Sequence, residues 1–483
     1  MYRGVTSACG SSRAENNQVQ HRIVGIDVKR KNSLLSQSRE VKMALVNYLT
    51  NKSFMLKALL LLLGAFYFIA AALPGHADYD YLTITNISMA FAIDPLHFMA
   101  GARGVAFPPT LYALQGAWLW LGAHLFHYPL AINYKNLTNS TLSSYIQASP
   151  GGIFLFWGMI PILAALFLFV GIAYKELRNK WLTLICFGPI TFVSVIIRGQ
   201  TDVVCVLFIF VSIILLQRAL KAEKYLSLLL LGYLALGVSM QFKTYGGLLL
   251  PVYAIYTLAL VRTRELDTTK SPLTLGSCLA TFLVATFIVW LPYTGWFSAI
   301  ILHGESNFLL QVPSPLFQVP IWVLGYVFIV SYMAVRVLRK PLTSLRDDRY
   351  FVFDNFAIVA WFFIAVHTWP QWWMFLLPPA LLVLDSFRSK YGLAFCILIL
   401  FTYLSYSMYF LAGNFSGYRI LAWMITGPWF VMITGGFAGL WFGMLAELGL
   451  GWVFTFLAGL LLFWVFELSK ELNDKEAESS TAT

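Results

Sequence analysis

The chain has 483 residues, of which 59% are hydrophobic, 17% aromatic and only 11% charged, where a soluble domain carries about 25% charged residues. With a mean hydropathy of +0.73, this composition excludes a soluble globular enzyme. It points to an all-α polytopic membrane protein, because long apolar runs recur, whereas a barrel would need short alternating strands. The net charge of +11 is not a nucleic-acid signal, because the basic residues sort by loop.

Residues 1–50 are polar and basic and are expected to form a cytoplasmic, disordered tail. No signal-peptide pattern starts at Met1, since the first long apolar run begins near Met55. The composition change near Met43 makes that residue an alternative start. Residues 51–470 are expected to form one transmembrane domain, with 74–151 as a first extracytoplasmic loop and 471–483 as a polar tail. Apolar runs predict eleven to thirteen spans, near 55–73, 152–173, 182–197, 202–217, 226–241, 246–261, 273–291, 318–336, 351–366, 372–386, 391–411, 420–443 and 449–467. With the N-terminus inside, 26 Lys and Arg fall on the inner side and 7 on the outer, the latter including Lys470 and Lys475. That bias sets the orientation. If 107–128 crossed the membrane, every later loop would change sides. It is therefore expected to lie on the outer surface, interrupted by Gln115, His124 and His127, with Trp118 and Trp120 at the interface.

The five cysteines (Cys9, Cys186, Cys205, Cys278, Cys396) show no paired spacing, so neither a disulfide framework nor a zinc site is expected. Asn86, Asn136, Asn139 and Asn414 match the short glycosylation pattern, which arises readily by chance.

The unusual polar residues gather on the outer side. Asp78 and Asp80 follow the first span, and acids at such a position are functional-site candidates. Arg198-Gly199-Gln200-Thr201-Asp202 forms a turn between two spans, and Lys243 follows another. His367-Thr368-Trp369-Pro370-Gln371-Trp372-Trp373 joins two later spans. A carboxylate beside cations at the membrane surface suits transfer from a lipid-linked phosphate. The acid would take the proton of an acceptor hydroxyl, and Arg and Lys would stabilise the leaving phosphate. No Gly-rich nucleotide-binding loop is present.

These residues resemble the GT-C superfamily of integral-membrane glycosyltransferases, and within it the polyprenyl-phosphate-mannose-dependent mannosyltransferases. The resemblance rests on Asp78-Tyr79-Asp80-Tyr81, Phe107-Pro108-Pro109-Thr110-Leu111-Tyr112, the Arg198–Asp202 turn, Lys243 and His367–Gln371. Thr110 departs from an aromatic-Pro-Pro-Leu pattern, and Thr368 and Trp369 interrupt a His-Pro-Gln turn. The resemblance implies an inverting hexosyltransferase, with mannose as the first candidate sugar and a lipid or glycan as acceptor. Asp78 or Asp80 would be the base, Arg198 and Lys243 would bind the donor phosphate, and Gln200, Asp202, His367, Gln371 and Trp372 would line the substrate pocket. No cofactor or metal is required on this reading, although an Asp-x-Asp pair can hold a divalent cation. The expected setting is a prokaryotic plasma membrane rather than the endoplasmic reticulum, with the active site extracytoplasmic and no nucleic-acid partner. Two alternatives stand: a transporter or flippase, which would show in-span charges, broken helices and an inverted repeat, and an O-antigen-type ligase or polymerase using His303 and Arg419.

Overall fold

The computed structural model describes residues 52–72, 79–94, 108–127, 151–197, 199, 201–264, 270–288, 291, 321–340, 345–365, 370–387 and 450–481. Among them every regular element is helical. The chain divides into two compact units, Met1–Leu63 and Gly64–Thr483. Helix α1 (Lys52–Ala72) begins in the first and ends in the second. In the first unit its side chains are largely uncovered, as at Leu61, 75% exposed.

In the second unit the helices are α2 (Tyr79–Ile93), α3 (Pro109–Leu125), α4 (Gly151–Glu176), α5 (Asp202–Lys221), α6 (Leu226–Met240), α7 (Leu250–Arg264), α8 (Lys270–Phe287), α9 (Ile321–Leu338), α10 (Asp348–Ala365), α11 (Leu377–Ser386) and α12 (Leu450–Thr481). Among the described residues four helices, 53–72, 156–176, 202–221 and 244–264, are long and apolar enough to cross a membrane. On α9 the large side chains Leu324, Phe328, Tyr332 and Val335 are all exposed, with Phe328 at 72%. They recur every three or four residues, so they form one apolar stripe, which in water would be an aggregation liability and in lipid is the natural outer face. The expected spans at 391–411 and 420–443, and the tail 1–50, lie outside the described residues.

The expected span at 182–197 is helical but not one α-helix. A 3-10 segment, Lys180–Phe187, stops at Gly188, whose φ of −74° and ψ of 178° are extended. Pro189 then opens a single α-turn, Pro189–Thr191, followed by a π-helical turn, Phe192–Ile197. Proline has no N–H to continue the preceding turn, and Gly188 is the hinge that the break uses. The Gly188 carbonyl accepts from the Phe192 amide at 3.0 Å and also from the Tyr67 hydroxyl at 3.2 Å.

Helices α2 and α3 lie side by side, with Gly116 pressed against the Ser88 carbonyl. A Cβ at Gly116 would sit 2.4 Å from that oxygen. Gln115 does not interrupt α3 as expected: it points inward, 6% exposed, and accepts a bond from Ser88 Oγ at 3.4 Å. Ser88 is the third residue of the Asn86 sequon, and it is buried. Helix α3 is tied to α4 by a reciprocal pair. Trp118 Nε1 donates to Trp157 O at 2.7 Å, Trp157 Nε1 donates to Trp118 O at 2.9 Å, and the rings stack 4.5 Å apart. Trp118 is thus a packing residue, whereas Trp120 is exposed.

Five loops expected on the inner side share one end of the bundle. Arg218 pairs with Glu176 at 2.6 Å and Lys221 with Asp348 at 2.6 Å. Asp385 accepts from the Arg178 and Asn179 amides at 2.9 and 2.7 Å. Arg264 donates to the Leu220 carbonyl at 3.0 Å and also reaches that of Ala222, two of the acceptors that a helix end leaves unpaired. Asp354, an acid inside an expected span, is bonded to Arg336 and to Tyr256 Oη, the latter at 2.7 Å. A buried acid with both oxygens engaged serves packing, since removing either partner would strand a charge.

The last helix corrects one expectation. Phe356 packs on Trp464 with ring centres 4.7 Å apart, and Glu471 lies close enough to Arg349 to act on its charge. These two contacts make α12 antiparallel to α10, which starts at the basic end with Asp348. Helix α12 therefore finishes at that end, taking Lys470 with it, and Lys470 and Lys475 were expected on the other side. The polar residues from 471 onward continue the helix to Thr481.

Candidate functional site

At the end opposite the basic loops, α-helical geometry gives way in three places. The first is the π-helical turn Phe192–Ile197. Single π turns widen the backbone and recur at functional sites. It leads into Gly199, whose φ of 56° is left-handed and open to glycine at little cost. The second is the stretch after α6. The Gln241 amide donates to Val238 O at 3.0 Å, and the Phe242 and Lys243 amides donate to Ser239 O at 3.1 and 3.2 Å. Lys243 is then extended, with φ −157° and ψ 147°, and a 3-10 segment, Thr244–Leu249, leads into α7. The third is the 3-10 segment Pro370–Leu376, opened by proline and running into α11.

These irregular segments touch one another. Pro370–Leu376 packs against the π turn and against α5. Tyr245 stacks toward Phe375 with ring centres 4.4 Å apart and meets Phe362 at 5.5 Å. The π turn runs toward Gly199, and the other two segments hold Lys243 and the backbone of Gln371 and Trp372. Asp202 at the start of α5, Lys243 and the Pro370–Leu376 segment thus come to one place.

At their centre Lys243 Nζ lies 3.2 Å from Asp202 Oδ1, with the side chains 5% and 0% exposed. Asp202 is the first residue of α5, where the helix N-terminus also favours a carboxylate. Lys243 Nζ lies 5.9 Å from the centre of the Tyr245 ring, within cation–π range. Cys205 Sγ reaches the Lys243 carbonyl at 3.7 Å. The lysine expected to meet a phosphate is therefore already paired with the acid expected in the substrate pocket. The two form one buried unit rather than two separate contacts.

Of the other expected residues, Asp80 lies in the first turn of α2. Gln371 and Trp372 lie in the Pro370–Leu376 segment; for these three only the backbone is described. Asp78, Arg198, Gln200 and His367 lie outside the described residues, as do His303 and Arg419.

Two residues that sequence reasoning did not assign occupy the same corner. Gln241 is 3% exposed, and its Nε2 donates to the Ala285 and Thr286 carbonyls at 2.6 Å each. Those carbonyls belong to the last turn of α8, where intrahelical donors run out. The Gln241 Oε1 accepts from Thr110 Oγ1, on the first turn of α3. The signal was present: Thr110 is the residue that interrupts the Pro-Pro-Leu pattern, and Gln241 is an amide at the end of an apolar helix.

No protein-family model matches the chain, and no curated protein matches it in sequence. Among solved structures the chain is similar to ArnT from Cupriavidus metallidurans. The apo state gives a TM-score of 0.44 at 15% identity, over 87% of this chain and 76% of that one. The state bound to undecaprenyl phosphate gives 0.43 at 15% identity, over 87% and 77%.

Proposed function

We propose that the chain is a GT-C-type glycosyltransferase. It would move a hexose, mannose in the first instance, from a polyprenyl-phosphate donor to a lipid or glycan acceptor on the extracytoplasmic side, with inversion. One acid of the Asp78/Asp80 pair takes the proton from the acceptor hydroxyl. Arg198 and Lys243 face the donor phosphate, whose charge grows as the glycosidic bond breaks, and Asp202 holds Lys243 in place. Gln200, His367, Gln371 and Trp372 line the pocket. The N-terminus is cytoplasmic and the setting a prokaryotic plasma membrane. The observation that supports this reading is the meeting of three motif-bearing irregular segments around the Asp202–Lys243 pair.

The test is sugar transfer in membranes from a radiolabelled polyprenyl-phosphate mannose. Asp78→Asn and Asp80→Asn are assayed singly, and at least one should lose nearly all transfer. Full activity in both removes the base assignment.

The break at Gly188–Pro189 favours a second reading, a carrier of lipid-linked glycans, because carriers place broken helices at their substrate sites. Flipping of a labelled lipid-linked glycan in proteoliposomes, without sugar transfer, would select it.

A further inference from the structure

We propose that Gln241 and Thr110 are positioning residues that hold the Phe107–Tyr112 motif against the Lys243 corner; the inference rests on the glycosyltransferase reading above. The side-chain amide of Gln241 has only one productive orientation. Its Nε2 is committed to the Ala285 and Thr286 carbonyls at 2.6 Å each, so its Oε1 must face Thr110, and Thr110 must donate. Helix α3 has Pro108 at its N-cap and no side-chain cap bond there. The Thr110 hydroxyl, two residues further on, is spent on Gln241 at the end of α6, 131 residues away in sequence.

The geometry makes Gln241 a three-way node. It terminates α8, it closes the C-terminal turn of α6, and it receives the first turn of α3. Lys243 is two residues further on, already extended and paired with Asp202. The start of α3 therefore takes its position from the same backbone turn that positions Lys243. Neither Gln241 nor Thr110 need touch the sugar. They set the distance between the motif that opens α3 and the phosphate-facing lysine, so their loss should weaken substrate capture more than the chemical step.

The test uses Thr110→Val, which keeps the side-chain shape and removes the hydroxyl, beside Thr110→Ser, which keeps the hydroxyl. Transfer from polyprenyl-phosphate mannose is measured against donor concentration, together with the thermal shift that a polyprenyl phosphate gives the purified protein. Thr110→Val should raise the donor KM about five- to tenfold, the scale of one lost hydrogen bond, with kcat within about twofold, and should reduce the thermal shift. Thr110→Ser should match the wild type. If Thr110→Val does not fold, Thr110→Ala removes the hydroxyl without added bulk and should show the same KM rise. A hydroxyl-free variant with wild-type KM, or a serine variant as impaired as valine, overturns the proposal while leaving the transferase reading intact. A wild type that neither transfers the sugar nor is stabilised by the polyprenyl phosphate overturns both.

Discussion

Lys243 and Asp202 form an ion pair at 3.2 Å that is closed to solvent on both sides. Truncating one member of such a pair leaves the other charge buried alone, which costs about 3–5 kcal/mol. Lys243→Met and Asp202→Asn should each lower the unfolding temperature in detergent. The double variant should lose clearly less than the two losses added, since no charge is then stranded. A thermal double-mutant cycle measures this, and strict additivity would show that the two side chains do not interact.

Trp118 and Trp157 exchange indole hydrogen bonds with each other's backbone carbonyls while their rings stack. Trp157→Phe keeps an aromatic ring but removes one bond, and should cost about 1 kcal/mol. Because the pair joins α3 to α4, the loss should appear as faster proteolysis between the two helices under native conditions.

Gly116→Ala places a methyl 2.4 Å from the Ser88 carbonyl, a backbone atom that cannot rotate away. It should destabilise the α2–α3 pair by about 1–3 kcal/mol. Gly171→Ala is the control: apart from its own helix backbone nothing lies within 4 Å of its Cβ position, and alanine favours the helix, so a small gain is expected. Equal effects from the two would contradict the packing described here.

Helix α12 runs antiparallel to α10, passes Arg349 at Glu471 and continues to Thr481. Epitope tags placed after Lys224 and after Thr481 should therefore be accessible from the same face of the membrane. Protease protection of oriented vesicles reports this, and protection of one tag with cleavage of the other would reverse the direction assigned to α12.

Much of the helix order was legible in the sequence, because a span must be long and apolar and its basic flanks reveal its side. The five loops expected on the inner side do share an end, joined through Glu176, Asp348 and Asp385. What could not be read was the interior of the spans. Hydropathy does not distinguish an α-turn from the 3-10 and π-turns that flank Gly188–Pro189. Nor does it show that Gln115 faces inward, since one amide on an apolar helix scores alike on either face. The direction of α12 was misread because two lysines carry little weight against an uncertain count of preceding spans. At the candidate site, Lys243 and Asp202 were singled out separately. Their pairing depends on how the end of α6 unwinds, and no periodicity encodes that. Thr110 was visible only as a departure from a pattern, and the structure gives that departure a partner in Gln241.

The distribution of ion pairs gives the molecule unequal sensitivity to ionic strength. At the basic end the pairs are open to solvent, with Arg218 52% exposed, so dissolved salt screens them and weakens their hold on the loops. The Asp202–Lys243 pair is buried, so dissolved salt screens it much less. Concentrated salt should thus loosen the loop end first and spare the corner where the irregular segments meet.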